Sequence, residues 1–323
     1  MIHHGVTYPD SLDSKGINDA IRSIGNGNGA VKLGPYVYDI DRPIIPTKNF
    51  VTLYGTTPGR EAGYAGNGTK LKLSAGPAVI QIGQDDQDVV IGATLRDMTI
   101  DAQGGVGILA TELTNRCLFE NVLVENCSTG WHISHKCWGM TWNNCRVANW
   151  TRYGVDLRGS SGNCVFNNFK ARTNGSFPGI AAFRIGVDVP SYSISFCGCN
   201  FEPKQNQYVF DIRRGGSFNF NGCYFEAEDD TCRDTFRLGY KGPIEGFMFT
   251  GNHVQGGGHH SSCFKMDHHP MNAMVIQGNT FRHYKVSVIN RNNHTQHKDC
   301  VYKYNHLKNV PAVFDGRTPI GWN

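Results

Sequence analysis

Phe220-Asn221-Gly222-Cys223-Tyr224-Phe225-Glu226 decides the fold, because its pattern returns again and again along the chain. The pattern is aromatic-x-[Asn/Gly]-x-x-apolar. It recurs from Phe119-Glu120-Asn121, Trp142-Asn143-Asn144, Phe166-Asn167-Asn168, Phe196-Cys197-Gly198 and Phe249-Thr250-Gly251, and, with Ile in the lead, from Ile276-Gln277-Gly278. Leu95-Arg96-Asp97 reads as a degenerate first copy and Tyr302-Lys303-Tyr304 as a degenerate last one. Successive leads are 24, 23, 24, 30, 24, 29, 27 and 26 residues apart. A fixed period of this size is the mark of a solenoid.

Each copy continues with alternating apolar residues, as in Asn200-Phe201-Glu202, Tyr224-Phe225-Glu226, His253-Val254-Gln255 and Thr280-Phe281-Arg282. Period two means strands with one buried face. A second strand follows in most copies, as in Ala182-Phe183-Arg184-Ile185 and Val209-Phe210-Asp211-Ile212. Clusters of Gly, Asn, Asp and Ser separate the strands. No helical period runs through 95–307. The expected class is all-β, a right-handed single-stranded parallel β-helix whose coils stack about 4.8 Å apart.

Stacking turns the repeat into ladders. Phe119, Trp142, Phe166, Phe196, Phe220 and Phe249 form an inward aromatic column. Cys145, Cys199 and Cys223 share another, continued by Asn252, Asn279 and Asn305. An interior Asn ladder can satisfy its amides along the stack. In the second strand, Asp156, Arg184, Asp211, Arg237 and Lys265 put mostly opposite charges on neighbouring coils, as coil-to-coil stabilisation requires.

The start of the chain differs in texture. Ser14–Ile24 reads as a short amphipathic helix with Ile17, Ile21 and Ile24 on one face. A capping helix there covers the exposed core and strand edges of a solenoid end. Asn18-Asp19-Ala20-Ile21, then Ala30-Val31-Lys32-Leu33-Gly34-Pro35-Tyr36-Val37-Tyr38, then Pro43-Ile44 through Gly55 resemble the opening of the pectin-lyase-like β-helix superfamily, phage tailspikes and polysaccharide-processing members above all. The resemblance implies a glycan-directed protein, homotrimeric, with other virion proteins among its partners. It does not fix the reaction, because one fold carries many functions. Three segments are expected: a cap with the first strands over 1–55, coils over 56–309 and a tail over 310–323.

Composition sets further bounds. The chain has 323 residues, 39% of them hydrophobic, 39 Gly and a formal net charge of +4. No basic stripe points to nucleic acid. No apolar run has the length of a membrane span, and Met1-Ile2-His3-His4-Gly5 does not resemble a signal peptide. The expected course is synthesis in the cytoplasm and action on a virion or outside the cell. The eleven Cys lack C-x-x-C pairs, and those in the interior column read as free thiols. No metal or cofactor is expected.

Candidate chemistry lies on the outward positions of the repeat strand. One ladder reads Arg146, Lys170, Asn200, Tyr224, His253, Thr280, His306. Its neighbour reads Glu125, Ala148, Arg172, Glu202, Glu226, Gln255, Arg282, Lys308. Glu202 and Glu226 are the sharpest feature. Both follow an inward Phe, so their carboxyls are expected roughly 5 Å apart, or about 6–8 Å if splayed. Such a pair can divide the roles of acid and of base or nucleophile in glycoside hydrolysis. Two solvated glutamates beside Arg172 are the bland alternative. Arg146, Lys170, Arg172, Asn200, Tyr224, His253, Gln255 and Arg282 are the expected substrate-binding residues. A lyase acting by β-elimination beside a uronate would instead draw its base and its neutralising cation from Arg146, Lys170, Arg172, Tyr224 and His253. A non-catalytic virion or adhesion module is the third reading. Asp229 and Asp230 could add a third acid or simply form a turn. His259-His260 and His268-His269 read as solvated loop residues. Trp142 is core by register, whereas Trp138 and Trp150 read equally as sugar-stacking platforms or as packing.

Overall fold

The computed structural model describes residues 2–3, 5–24, 28–46, 49–58, 68–83, 89–111, 114–174, 179–204, 208–226, 234–256, 262–291 and 298–314. Asp229, Asp230, the pair His259-His260 and most of the tail lie outside these. Within them the chain is almost entirely short strands in parallel register, with one helix. It divides into two compact units, Met1–Trp150 and Thr151–Asn323.

In the first unit the helix Ser14–Ser23 begins at Asp13, whose carboxylate accepts the Gly16 N–H at 2.8 Å. That bond, with one from Ser11, holds the Asp13 carboxyl below its ordinary value. Ile17 and Ile21 are fully buried and Ile24 is half-buried, so the apolar face predicted from the sequence is the packed one. Above it the strands Ala30–Lys32, Thr52–Tyr54, Thr94–Asp101, Leu118–Ile133 and Thr141–Asn143 pair in turn. Their register places Val31, Leu53, Leu95, Phe119 and Trp142 in one buried column. The Phe119 and Trp142 rings stack 5.3 Å apart. Trp150 is also fully buried, so it packs, whereas Trp138 is 41% exposed.

In the second unit several such columns stack phenylalanines. Phe166, Phe196 and Phe220 stack at 4.8 and 4.6 Å with nearly parallel rings. Phe183, Phe210, Phe236 and Phe264 stack at 4.8, 5.0 and 5.1 Å. Phe201 and Phe225 lie 5.0 Å apart, and Val254, Phe281 and Leu307 continue their column. These spacings follow the strand-to-strand distance, so each ring fills the space that its neighbour leaves.

The interior Cys-to-Asn column does more than fill space. The side chains of Cys199, Cys223, Asn252, Asn279 and Asn305 donate to the carbonyls of Phe166, Phe196, Phe220, Phe249 and Ile276, each the lead residue of the coil before. The Asn Oδ1 atoms accept in return. Asn252 takes the N–H of Cys223, Asn279 that of Asn252 and Asn305 that of Asn279, all at 2.8–2.9 Å. Cys197 is exposed and Cys199 buried, as the register predicts. In the first unit, burial pushes the thiols of Cys117 and Cys145 up to about 12, so they remain protonated.

The Asn/Gly position of the repeat has a backbone cause. In the first unit Asp97, Asn121 and Asn144 have φ of 59°, 51° and 55°. In the second, Asn168, Gly198, Gly222, Gly251, Gly278 and Tyr304 have φ between 47° and 67°. Every copy therefore turns its corner through the left-handed region, where Gly is free of strain and Asn or Asp is tolerated. In the first unit the side chains add a ladder: Asn144 donates to Asn121 at 2.7 Å, and Asn121 to Asp97 at 2.9 Å.

Candidate functional site

The corner residue fixes where the next strand presents its side chains. In the second unit the strands Lys170–Arg172, Asn200–Glu202, Tyr224–Glu226, His253–Gln255, Thr280–Arg282 and His306–Lys308 pair in that order. Their central residues, from Ala171 to Phe281, are buried, and the flanking ones point the other way. Lys170, Asn200, Tyr224, His253, Thr280 and His306 therefore share one row. Arg172, Glu202, Glu226, Gln255, Arg282 and Lys308 share the next. Arg146 lies in the first unit, half-buried at the start of the strand Arg146–Leu157.

Glu202 and Glu226 follow the paired Phe201 and Phe225 on neighbouring strands. Each carboxylate is held by donors. Glu202 Oε1 accepts from Asn200 Nδ2 at 2.7 Å, and its Oε2 lies 3.5 Å from Nε of Arg172, its register neighbour. Glu226 Oε2 accepts from the Tyr224 hydroxyl at 2.7 Å. The Tyr224 ring stacks on His253 with centroids 5.3 Å apart and planes 19° from parallel. Burial, helped by the charge of Arg282, holds the His253 imidazole below its ordinary value, so it is neutral at pH 7. Gln255 is the register partner of Glu226, and Arg282 that of Gln255. The row thus reads cation, two carboxylates, amide, cation. Paired carboxylates beside a phenol and a neutral imidazole offer groups that can take, give or orient a proton.

Sequence reasoning understated a second polar layer. The register Asp156, Arg184, Asp211, Arg237, Lys265 holds as predicted. Three of these side chains are far from solvated, however: Asp156 and Asp211 are each 1% exposed and Arg184 8%. Arg184 also donates to the Tyr153 hydroxyl at 2.8 Å and lies over that ring. Asp211 pairs with Arg213 at 2.9 Å and Arg237 with Asp267 at 2.6 Å, partners that the alternation along one strand position does not contain. In the first unit Lys70 joins Asp101 and Glu125 at 3.1 and 3.0 Å. Among the described residues no group of three or more His, Cys, Asp or Glu is placed to hold a metal ion, and no helix is long and apolar enough to cross a membrane.

A family model described as "Right handed beta helix region" matches residues 78–235. No curated protein matches the sequence. Solved structures do match. DFA-IIIase from Arthrobacter chlorophenolicus A6 superposes with a TM-score of 0.72 at 11% identity, over 98% of this chain and 92% of that one. The A-module of the mannuronan C-5 epimerase AlgE6 from Azotobacter vinelandii gives 0.62 at 14% identity, over 96% and 93%. ORF18 of Geobacillus virus E2 gives 0.66 at 16% identity, over 97% of this chain and 62% of that one. At these identities the likeness is one of fold.

Proposed function

We propose that this chain, a right-handed β-helix, binds a polysaccharide along the outward face of its repeat strands and hydrolyses it with Glu202 and Glu226 as the carboxylate pair. The observation that carries the reading is their position: two carboxylates on adjacent strands, in the middle of a row of polar, aromatic and cationic side chains. One acts as the acid toward the leaving oxygen and the other as base or nucleophile. Arg172 and Asn200 position Glu202, and Tyr224 positions Glu226. Lys170, His253, Gln255 and Arg282 contribute hydrogen bonds and charge along the chain of sugars. The fold is shared with an enzyme named for DFA-III, a mannuronan epimerase and a viral protein, so glycan chemistry and a virion setting both suit it. A homotrimer acting at a virion surface is the assembly that this reading favours. Glu202→Gln and Glu226→Gln, assayed for reducing ends released from capsule or O-antigen preparations, test it.

One observation favours a second reading. His253 is held neutral and stacks on Tyr224, which gives β-elimination beside a uronate a base with Arg282 close by. Products absorbing in the ultraviolet as unsaturated uronates distinguish it from hydrolysis.

A further inference from the structure

We infer that Arg282 and Lys308 form a subsite for an anionic substituent of the bound glycan, a carboxylate, sulfate or phosphate, two coils away from Glu226. The inference rests on the glycan reading and adds the charge of the substrate to it.

Arg282 and Lys308 are register partners on the strands Thr280–Arg282 and His306–Lys308. Like charges directly opposite each other in a sheet are destabilising. Elsewhere in this unit Arg172, Arg184, Arg213 and Arg237 each hold a carboxylate, Arg237 doing so opposite Lys265. Among the described residues, no ion pair reaches Arg282 or Lys308. The Arg282 Nε is buried and has no hydrogen-bond partner. The Arg282 side chain as a whole is half-buried and Lys308 is exposed, so an incoming oxyanion can meet the rest of the guanidinium and the ammonium, and it offsets their mutual repulsion. The guanidinium fork suits carboxylate, sulfate and phosphate oxygens alike.

The position is informative too. Glu226 pairs with Gln255, Gln255 with Arg282 and Arg282 with Lys308. The cations therefore lie roughly 10 and 14 Å along the face from the carboxylate, two and three strand spacings on. His253 and His306 occupy the other row of the same three coils, and no carboxylate interrupts either row beyond Glu226. An anionic group held there lies well clear of Glu226, so its negative charge does not oppose the carboxylates at the reacting bond.

The test is affinity electrophoresis in gels containing polygalacturonate, dextran sulfate or neutral dextran. The Glu226→Gln variant is run beside the native chain to remove turnover. Retardation by at least one polyanion and none by dextran is expected for both. Arg282→Gln/Lys308→Gln should weaken it by roughly tenfold or more. Lys72→Gln/Lys241→Gln, which removes the same charge from exposed positions elsewhere, should not. Unfolding midpoints of both double variants guard against misfolding. Native retardation by the double Arg282/Lys308 variant, equal loss in the Lys72/Lys241 control, or no retardation by either polyanion overturns the inference. Cleavage of a neutral glycan would overturn it and leave the hydrolase reading intact. Retention of a polyanion without any cleavage would do the reverse.

Discussion

Arg184 grips Asp156 of the neighbouring coil through two parallel hydrogen bonds, Nε to Oδ1 at 2.8 Å and Nη2 to Oδ2, with both residues almost sealed from water. Removing Asp156 leaves the Arg184 charge buried without its direct ion pair, facing only Asp211 of the next coil and the Tyr153 hydroxyl. Asp156→Ala should therefore cost about 3–5 kcal/mol. Asp156→Leu with Arg184→Met, which removes both charges, should recover most of that loss. Urea unfolding of the native chain and of both variants measures it.

The interior column gives a second prediction. Asn279 accepts from the Asn252 N–H and donates to the Phe249 carbonyl. Asn279→Ala strands both groups in the core, where each unmade bond costs about 1–3 kcal/mol. Asn279→Cys places the column's other residue there and restores a donor to Phe249. Chemical denaturation should rank native, then Cys, then Ala in falling stability.

The corner position separates backbone from packing. A Cβ added at Gly222 meets nothing within 4 Å, yet its φ is +62°. Gly222→Ala should cost about 1–2 kcal/mol from backbone strain alone, Gly222→Val more, and Gly222→Asn little. Thermal melts of the three would show whether the Asn/Gly preference of the repeat is conformational, as claimed. Equal losses for Asn and Val would contradict it.

Acid sensitivity is expected from the first unit. Burial pushes the Asp101 carboxyl up, but donors from Gln103, Asn126 and Lys70 outweigh it and hold the group below its ordinary value. The unfolded chain thus takes up that proton first as pH falls. The stabilisation is complete above the unfolded value, about 3.9, and is lost as pH drops through the folded one. Melting temperatures of Asp101→Asn should fall less steeply than native between pH ~5 and ~2.

Much of this was legible in the sequence, and the reason is the repeat. A period that sets one residue above its equivalent in the next coil fixes the inward columns, the Cys-to-Asn ladder and the row holding Glu202 and Glu226. The positive φ behind Asn121 or Gly222 leaves only one trace in the sequence, the choice of Asn and Gly at that position. Arg213 and Asp267 were missed because they sit beyond the alternating positions, at strand ends where the period carries no information. Trp150 could go either way because register alone does not say what covers an aromatic ring. The hydrogen bonds that hold each glutamate come from side chains two residues earlier on the same strand, Asn200 and Tyr224, and no spacing rule predicts which way those point.

The central claim is that Glu202 and Glu226 are the working carboxylates of a glycan hydrolase. Reducing-end release from a bacterial surface polysaccharide that the native chain cleaves should fall by about 10²–10⁴ in Glu226→Gln and in Glu202→Gln, with unfolding midpoints unchanged. Full activity in both variants would contradict the account.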